Sequence, residues 1–309
     1  MFNTLKNALK VKEIRQKLLY TFIMMIIVRL GCQLPIPGTS QEAIEEIMKS
    51  LKTSAGYSFF SAFTGGSLEK MSVFALSITP YITSSIIMQL LTIAIPKLEE
   101  LQNEGESGRK KIQVITRYVT VALAVIESVA MAIGFGNQGV FGDVDSMSTM
   151  RYIFTMFTVV VTMTAGSAVL MWIGERITEK GVGNGISIVL VINIISRMPE
   201  DMGSLWDQFV AGQTNYLKAV IAAVVILVII IGMVVFVVLL QGAERRIPVQ
   251  YSKKMQGRKQ VGGQQTHIPL KVNTSGVIPV IFAQSLMQTP VILASLFGWN
   301  KGTGVGAQI

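Results

Sequence analysis

One cysteine and one histidine in 309 residues leave little room for several kinds of chemistry. Cys32 has no partner for an intramolecular disulfide, and a thiolate metal cage needs more sulfur than one residue supplies. His267 lies among polar loop residues, where a solvated side chain accounts for it better than a metal ligand or a general base does. Charge is scarce too. Only 15% of residues are Asp, Glu, Lys or Arg, against about 25% in a typical soluble domain. No nucleophile–base pair, phosphate loop or metal-ligand spacing stands out. The glycine run Gly181-Val-Gly183-Asn-Gly185 lacks the strand and acidic partner that a dinucleotide site requires. It reads instead as the tight start of a helix, with glycine for unusual dihedrals and Asn184 as a cap.

What the chain has in quantity is apolar sequence. Half its residues are hydrophobic and its mean hydropathy is +0.53. Seven apolar stretches run at roughly 19–38, 71–95, 116–134, 152–173, 183–198, 216–240 and 273–298. A hydrocarbon core about 30 Å thick takes ~20 apolar helical residues to cross, and each stretch is near that length. The expected architecture is an all-α, polytopic membrane helix bundle. The net charge of +9 then marks loops on one side of the membrane rather than a nucleic-acid surface. With the N-terminus inside, residues 1–18 and the loops after stretches two, four and six hold nineteen of the 27 Lys and Arg residues. That bias places the N-terminus in the cytoplasm. Met1 to Lys17 is basic and amphipathic without a small-residue cleavage site, so no cleavable signal is expected there.

Four features depart from a plain bundle. Tyr57 to Lys70 starts apolar, breaks at Gly65-Gly66 and is too short to cross. It reads as a half-helix dipping in from outside or as an amphipathic surface helix, and irregular backbone at membrane depth survives only inside protein or beside a watery cavity. Ser77 to Ser85 mixes hydroxyls and Pro80 into a span, with Ile78 and Ile82 on one helix face; Ile186 and Leu190 repeat that spacing. Glu127 sits in the middle of the third stretch, where a charge is costly, so it faces the bundle interior or is protonated, or it bonds a neighbouring helix. Gln241 to Val272 is a long inner loop. Its alternating ends, Arg246 to Tyr251 and His267 to Val272, flank a Lys/Arg/Gln/Gly-rich middle, a hairpin pattern with a basic tip.

Several motifs resemble the SecY family, the channel subunits of the bacterial protein-conducting translocon. They are Arg29-Leu-Gly with Pro35-Ile-Pro-Gly38; Gly65-Gly-Ser-Leu68 leading to Phe74-Ala-Leu-Ser-Ile-Thr-Pro-Tyr-Ile-Thr-Ser-Ser-Ile-Ile-Met-Gln-Leu-Leu91; Glu104-Gly-Glu-Ser-Gly-Arg-Lys-Lys111; Gly181 to Ile188; and Leu270-Lys-Val-Asn-Thr-Ser-Gly-Val-Ile-Pro-Val-Ile-Phe282. The resemblance runs along nearly the whole chain. It implies ten spans in two pseudo-symmetric halves around an hourglass pore. Residues 1–200 would form the N-terminal half and 201–309 the beginning of the second, with the last three spans absent.

The resemblance also implies roles. Phe60, Ser61, Ala62, Phe63, Thr64, Gly65, Gly66 and Ser67 correspond to a re-entrant plug that closes the pore from outside. Ile78, Ile82, Ile186, Leu190 and Ile281 correspond to its constriction ring, Leu190 standing where the family more often has Ile. Thr83, Glu127 and Thr289 correspond to a polar cluster at the lateral gate, with Gln288 an alternative to Thr289. Arg245, Arg246, Lys253, Lys254, Arg258 and Lys259 correspond to the loop that docks the ribosome or the SecA motor. Implied partners are SecE and SecG, SecA, the ribosome, signal sequences and unfolded preproteins, and anionic lipids. The implied location is the bacterial plasma membrane, and no cofactor or enzymatic reaction is expected. A secondary solute transporter shares broken helices and a mid-membrane ionisable group, and is the alternative reading; a purely structural membrane scaffold would need none of the plug, Thr-Pro or glycine features.

Overall fold

The computed structural model describes residues 10–51, 61, 64–136, 139–141, 149–211, 216–249, 254–256, 259–261, 266–273, 283 and 287. The chain divides into two compact units, Met1–Pro199 with Phe282–Ile309, and Glu200–Ile281.

Helices make up most of the first unit: α1 (Lys12–Gly31), α2 (Gln41–Leu51), α3 (Thr79–Ala94), α4 (Pro96–Asn103), α5 (Glu106–Gly136), α6 (Thr149–Lys180) and α7 (Gly185–Trp206), the last running on into the second unit. Helix α5 packs along both α3 and α6, and α1 lies against α6. Among the described residues two apolar clusters form the core. One gathers Ile36, Ile44, Met71, Phe141 and Met163 among others; the second gathers Val28, Cys32, Phe74, Ile78, Leu170, Ile173, Ile177 and Val189.

Among the described residues, three helices are long and apolar enough to cross a membrane: α5, Met150–Lys180 of α6, and Leu217–Gly242 in the second unit. A fourth crossing results if α3 and α4, bent by 102° at their junction, count as one. This differs from seven uniform spans for local reasons. At 16 residues, α3 rises about 24 Å. The chain breaks at Ile95, whose backbone is extended, as favoured before Pro96. Helix α1 begins seven residues earlier than its apolar stretch and ends at Gly31, so it carries Lys12, Glu13, Arg15, Lys17 and Arg29. Helix α7 carries Arg197, Glu200 and Asp201 towards its end. Of the seventh stretch, 273–298, almost all lies outside the described residues.

The second apolar stretch is helical only from Thr79. Residues 65–71 and 73–78 are turns, and Ser72 bridges to Pro35. Among the described residues the expected half-helix includes Ser61 and Thr64 and stops at the glycine pair, because Gly65 and Gly66 have φ of 64° and 77°. That left-handed backbone breaks a right-handed helix, and glycine adopts it without steric penalty. The freed backbone groups are paired within the protein. Ile36 N–H donates to Met71 O at 2.9 Å and Val73 N–H to Leu34 O at 2.9 Å. Ser67 Oγ donates towards Thr64 O and Phe74 O, at 2.8 and 3.0 Å. Such pairing is what irregular backbone at membrane depth requires.

The glycine run does start a helix. Asn184 Oδ1 accepts from Ile186 and Ser187 N–H at 3.1 and 3.4 Å, an N-cap of α7. Asn184→Ala is expected to lower stability by about 1 kcal/mol, read as a lower melting temperature of the purified protein; an unchanged melt would show that the cap is dispensable.

In the second unit a π-helical turn, Asp207–Ala211, precedes α8 (Tyr216–Gly242), and no side chain of α8's most apolar stretch is buried. Among the described residues four short strands follow: β1 (Glu244–Val249), β2 (Lys254–Gln256), β3 (Lys259–Val261) and β4 (Thr266–Lys271). β1 pairs antiparallel with β4, setting Ile247 opposite Ile268, and β2 pairs with β3 nearer the tip. The hairpin expected from alternation is therefore present, with register Glu244–Lys271 at its base.

Candidate functional site

The turns before α3 bring its first residues into the apolar interior. Ile78 is the N-cap of α3, and Ile82 N–H donates to Ile78 O at 3.2 Å, closing the first turn. The two isoleucines are thus stacked one helical turn apart. On α7, Ile186 and Leu190 are stacked in the same way. All four belong to the second apolar cluster: Ile78 is fully buried, while Ile82, Ile186 and Leu190 pack against it and keep part of their surface exposed. Helix α6 is the floor of this arrangement. A Cβ placed on Gly174 would lie 3.2 Å from Ile186 Cγ1 and 3.5 Å from Ile78 Cδ1. Glycine there lets side chains from two other elements reach one point of α6, as small residues do between membrane helices. Sequence reasoning missed Gly174; two glycines in an apolar helix, Gly166 and Gly174, were the available signal.

Above this cluster the turn segment is tied to α1 and α7 by polar contacts that sequence reasoning also missed. Asn193 Nδ2 donates to Ser77 Oγ at 3.2 Å. One turn further along α7, Arg197 pairs with Glu69 at 2.6 Å, the two side chains only 11% and 14% exposed. Ser61 Oγ donates to Glu69 Oε1 at 2.8 Å and accepts from Arg197. Arg29 of α1 reaches Gly65 O at 3.4 Å. The sequence signal was a single charge in each of the apolar stretches 19–38 and 183–198, Arg29 and Arg197, and the charges Glu69 and Lys70 at the end of the short segment.

The remaining expected residues fall into three groups. Ser61, Thr64, Gly65, Gly66 and Ser67 lie together in the turn segment, Gly66 partly exposed and the others buried. Thr83 has a buried hydroxyl oxygen without a hydrogen-bond partner among the described residues. Glu127 is half-buried on α5. It is seven residues beyond Thr120, on the same side of the helix, and Thr120 shares a 2.5 Å hydrogen bond with Ser84 of α3. No hydrogen bond joins Glu127 to Thr83 among the described residues. In the hairpin, Arg245 and Arg246 are exposed and alternate in direction along β1, while Lys254 and Lys259 fall on β2 and β3. Phe60, Ala62, Phe63, Lys253, Arg258, Ile281, Thr289 and its alternative Gln288 lie outside the described residues. Among the described residues no group of acidic, His or Cys side chains has metal-binding geometry.

The family model for SecY matches residues 72–308. The protein translocase subunit SecY of Streptomyces scabiei is 42% identical over 307 residues, covering 98% of this chain and 69% of that protein. Two solved channels share the fold at a TM-score of 0.60. One is a SecY protein whose plug domain stabilises the closed state and maintains a membrane seal, 20% identical, with 96% of this chain and 61% of that one covered. The other comes from a canine ribosome–channel complex of the endoplasmic reticulum, 21% identical, with 96% and 62% covered. The chain therefore spans about two thirds of the length of the proteins it matches. With a matching family model over most of its length and a translocase relative at this identity, the chain belongs to the SecY family of protein-conducting membrane channel subunits, which are not enzymes.

Proposed function

We propose that this chain passes unfolded secretory polypeptides across the bacterial plasma membrane and releases membrane segments sideways into it. The observation that carries this reading is the cluster in which Ile78, Ile82, Ile186 and Leu190 meet beneath a held, non-helical segment. Branched apolar side chains can close around a chain of any sequence, offer no fixed site to an ion, and favour dewetting when narrow. Ile281 adds a fifth side chain to this ring. Residues 60–67 are the plug. Thr83, Glu127 and Thr289 set the polarity of a lateral gate for signal sequences. Residues 1–200 are one half of the channel and 201–309 the start of the other. The N-terminus is cytoplasmic, so the basic hairpin at 244–271 faces the cytoplasm. Arg245, Arg246, Lys253, Lys254, Arg258 and Lys259 there meet the ribosome, SecA or anionic lipid, all of which present negative charge. SecE and SecG complete the assembly.

Crosslinking tests the ring. Ile82→Cys is placed in the full natural chain with Cys32→Ala, chosen because Cys32 is buried in an apolar cluster where a hydroxyl would lack a partner. A secretory polypeptide bearing one cysteine is stalled during export, and a disulfide between the two is expected only when that polypeptide is engaged. Export that continues with no crosslink removes Ile82 from the conduit. Uptake of a small solute with no polypeptide export would favour a transporter instead.

A further inference from the structure

Both ends of the turn segment are held by one face of α7. Asn193 and Arg197 are four residues apart and so lie one above the other; the first bonds Ser77 and the second bonds Ser61 and pairs with Glu69. We infer that the Glu69–Arg197 ion pair, with Ser61 bridging it, is the latch that holds the segment in the closed position, Arg197 being a positioning residue for closure. This rests on the channel reading given above.

The physical argument concerns where these charges can go. Two charges taken out of water pay a desolvation cost that only close pairing and further hydrogen bonds offset. Here the carboxylate has both, a 2.6 Å guanidinium contact and the 2.8 Å Ser61 hydroxyl. While the passage is closed and dry, parting Glu69 from Arg197 would strand each in a poorly solvated site. Once water enters, both can be solvated separately and the attraction falls with the rising dielectric. The latch is therefore strongest in the closed state and weakens as soon as the passage wets, which favours two discrete states over a partly displaced segment. Its second anchor, Arg29 on Gly65 O, is longer at 3.4 Å and made to a neutral group, so the ion pair is the contact whose loss matters most.

The test is ionic current through the full natural chain, co-purified with its own subunits and reconstituted in planar bilayers. Glu69→Gln and Arg197→Gln are each expected to raise the open fraction by roughly tenfold or more, since each removes the ion pair itself. The exchange Glu69→Arg with Arg197→Glu is expected to restore the closed state. Protein yield and melting temperature, measured alongside, separate latch loss from misfolding, because the exchange must recover current block and not only abundance. A channel with Ile82, Ile186 and Leu190 all replaced by Gly is the positive control. If that control conducts while the single variants stay closed, or if the exchange leaks as much as they do, the latch is overturned. If the control itself never conducts, these side chains do not form the seal, the ring that carries the channel reading fails, and the latch fails with it.

Discussion

Gly185→Val is expected to destabilise the protein by about 3 kcal/mol or more, the upper part of the range for overpacking a tight interior. Gly185 is the first residue of α7 and is buried. A Cβ there would sit 2.0 Å from Gly174 O and 2.7 Å from Ile177 Cβ, both on α6. The nearest obstacle is backbone, which cannot rotate out of the way as a side-chain end can. Relief therefore requires α6 and α7 to move apart. That movement would also pull Ile186 off Gly174 and loosen the apolar cluster on which Ile78 depends. The measurement is thermal unfolding in detergent beside the level of protein in the membrane. Gly203→Ala is the matched control on the same helix: a Cβ at Gly203 meets nothing within 4 Å, so the change should be neutral or stabilising by up to about 1 kcal/mol. Equal behaviour of the two variants would show that close approach at Gly185 is not what joins the helices.

The second large effect is on conductance. Replacing Ile82, Ile186 and Leu190 together by Gly is expected to give a sustained ion leak, on the order of tenfold or more above the unmodified channel. Polypeptide export should persist, because the path is widened and not blocked. These three positions are chosen because their side chains keep part of their surface exposed, so removing them opens space at the edge of the cluster. Ile78 is left in place for the opposite reason. It is fully buried, and truncating such a side chain typically costs about 2–5 kcal/mol through the cavity it leaves. A leak would then be confounded with unfolding. Wild-type conductance in the triple variant, with normal yield, would mean that these side chains do not form the seal.

The basic hairpin was visible in the sequence because alternation over a few residues, bounded by turn formers, is a local property. The β1–β4 register and the β2–β3 extension follow from it. The Asn184 cap was legible for the same reason, since an Asn two and three residues ahead of the N–H groups it satisfies needs no tertiary context. Less was legible around Ser61 to Ile78. Its composition is apolar enough to pass for the start of a span, and the hydropathy of 71–95 predicts one. Helix is absent from Gly65 to Ile78 because that backbone is held by Leu34 and Ile36, partners contributed by another part of the chain, and by Ser67 within the segment itself. Met71 and Ser77 even take left-handed φ of 42° and 54°, which no propensity for these residues would suggest.

By itself the sequence determined that this is a helical membrane protein with a basic hairpin, because hydropathy and charge bias are set by composition along the chain and by the thickness of a bilayer. It also determined that Ile78 and Ile82, and Ile186 and Leu190, each share a helix face, since four-residue spacing in a helix admits one answer. Tertiary structure alone decided that the two pairs meet each other, and that Gly174 is the floor on which they meet. It alone decided that Glu69 and Arg197, 128 positions apart by their numbers, are partners. Contacts between distant segments depend on the crossing of whole helices, and a helix crossing is settled by the small residues that let backbones touch. Such residues are common along an apolar sequence, and only the packed fold distinguishes the ones that touch from the ones that do not.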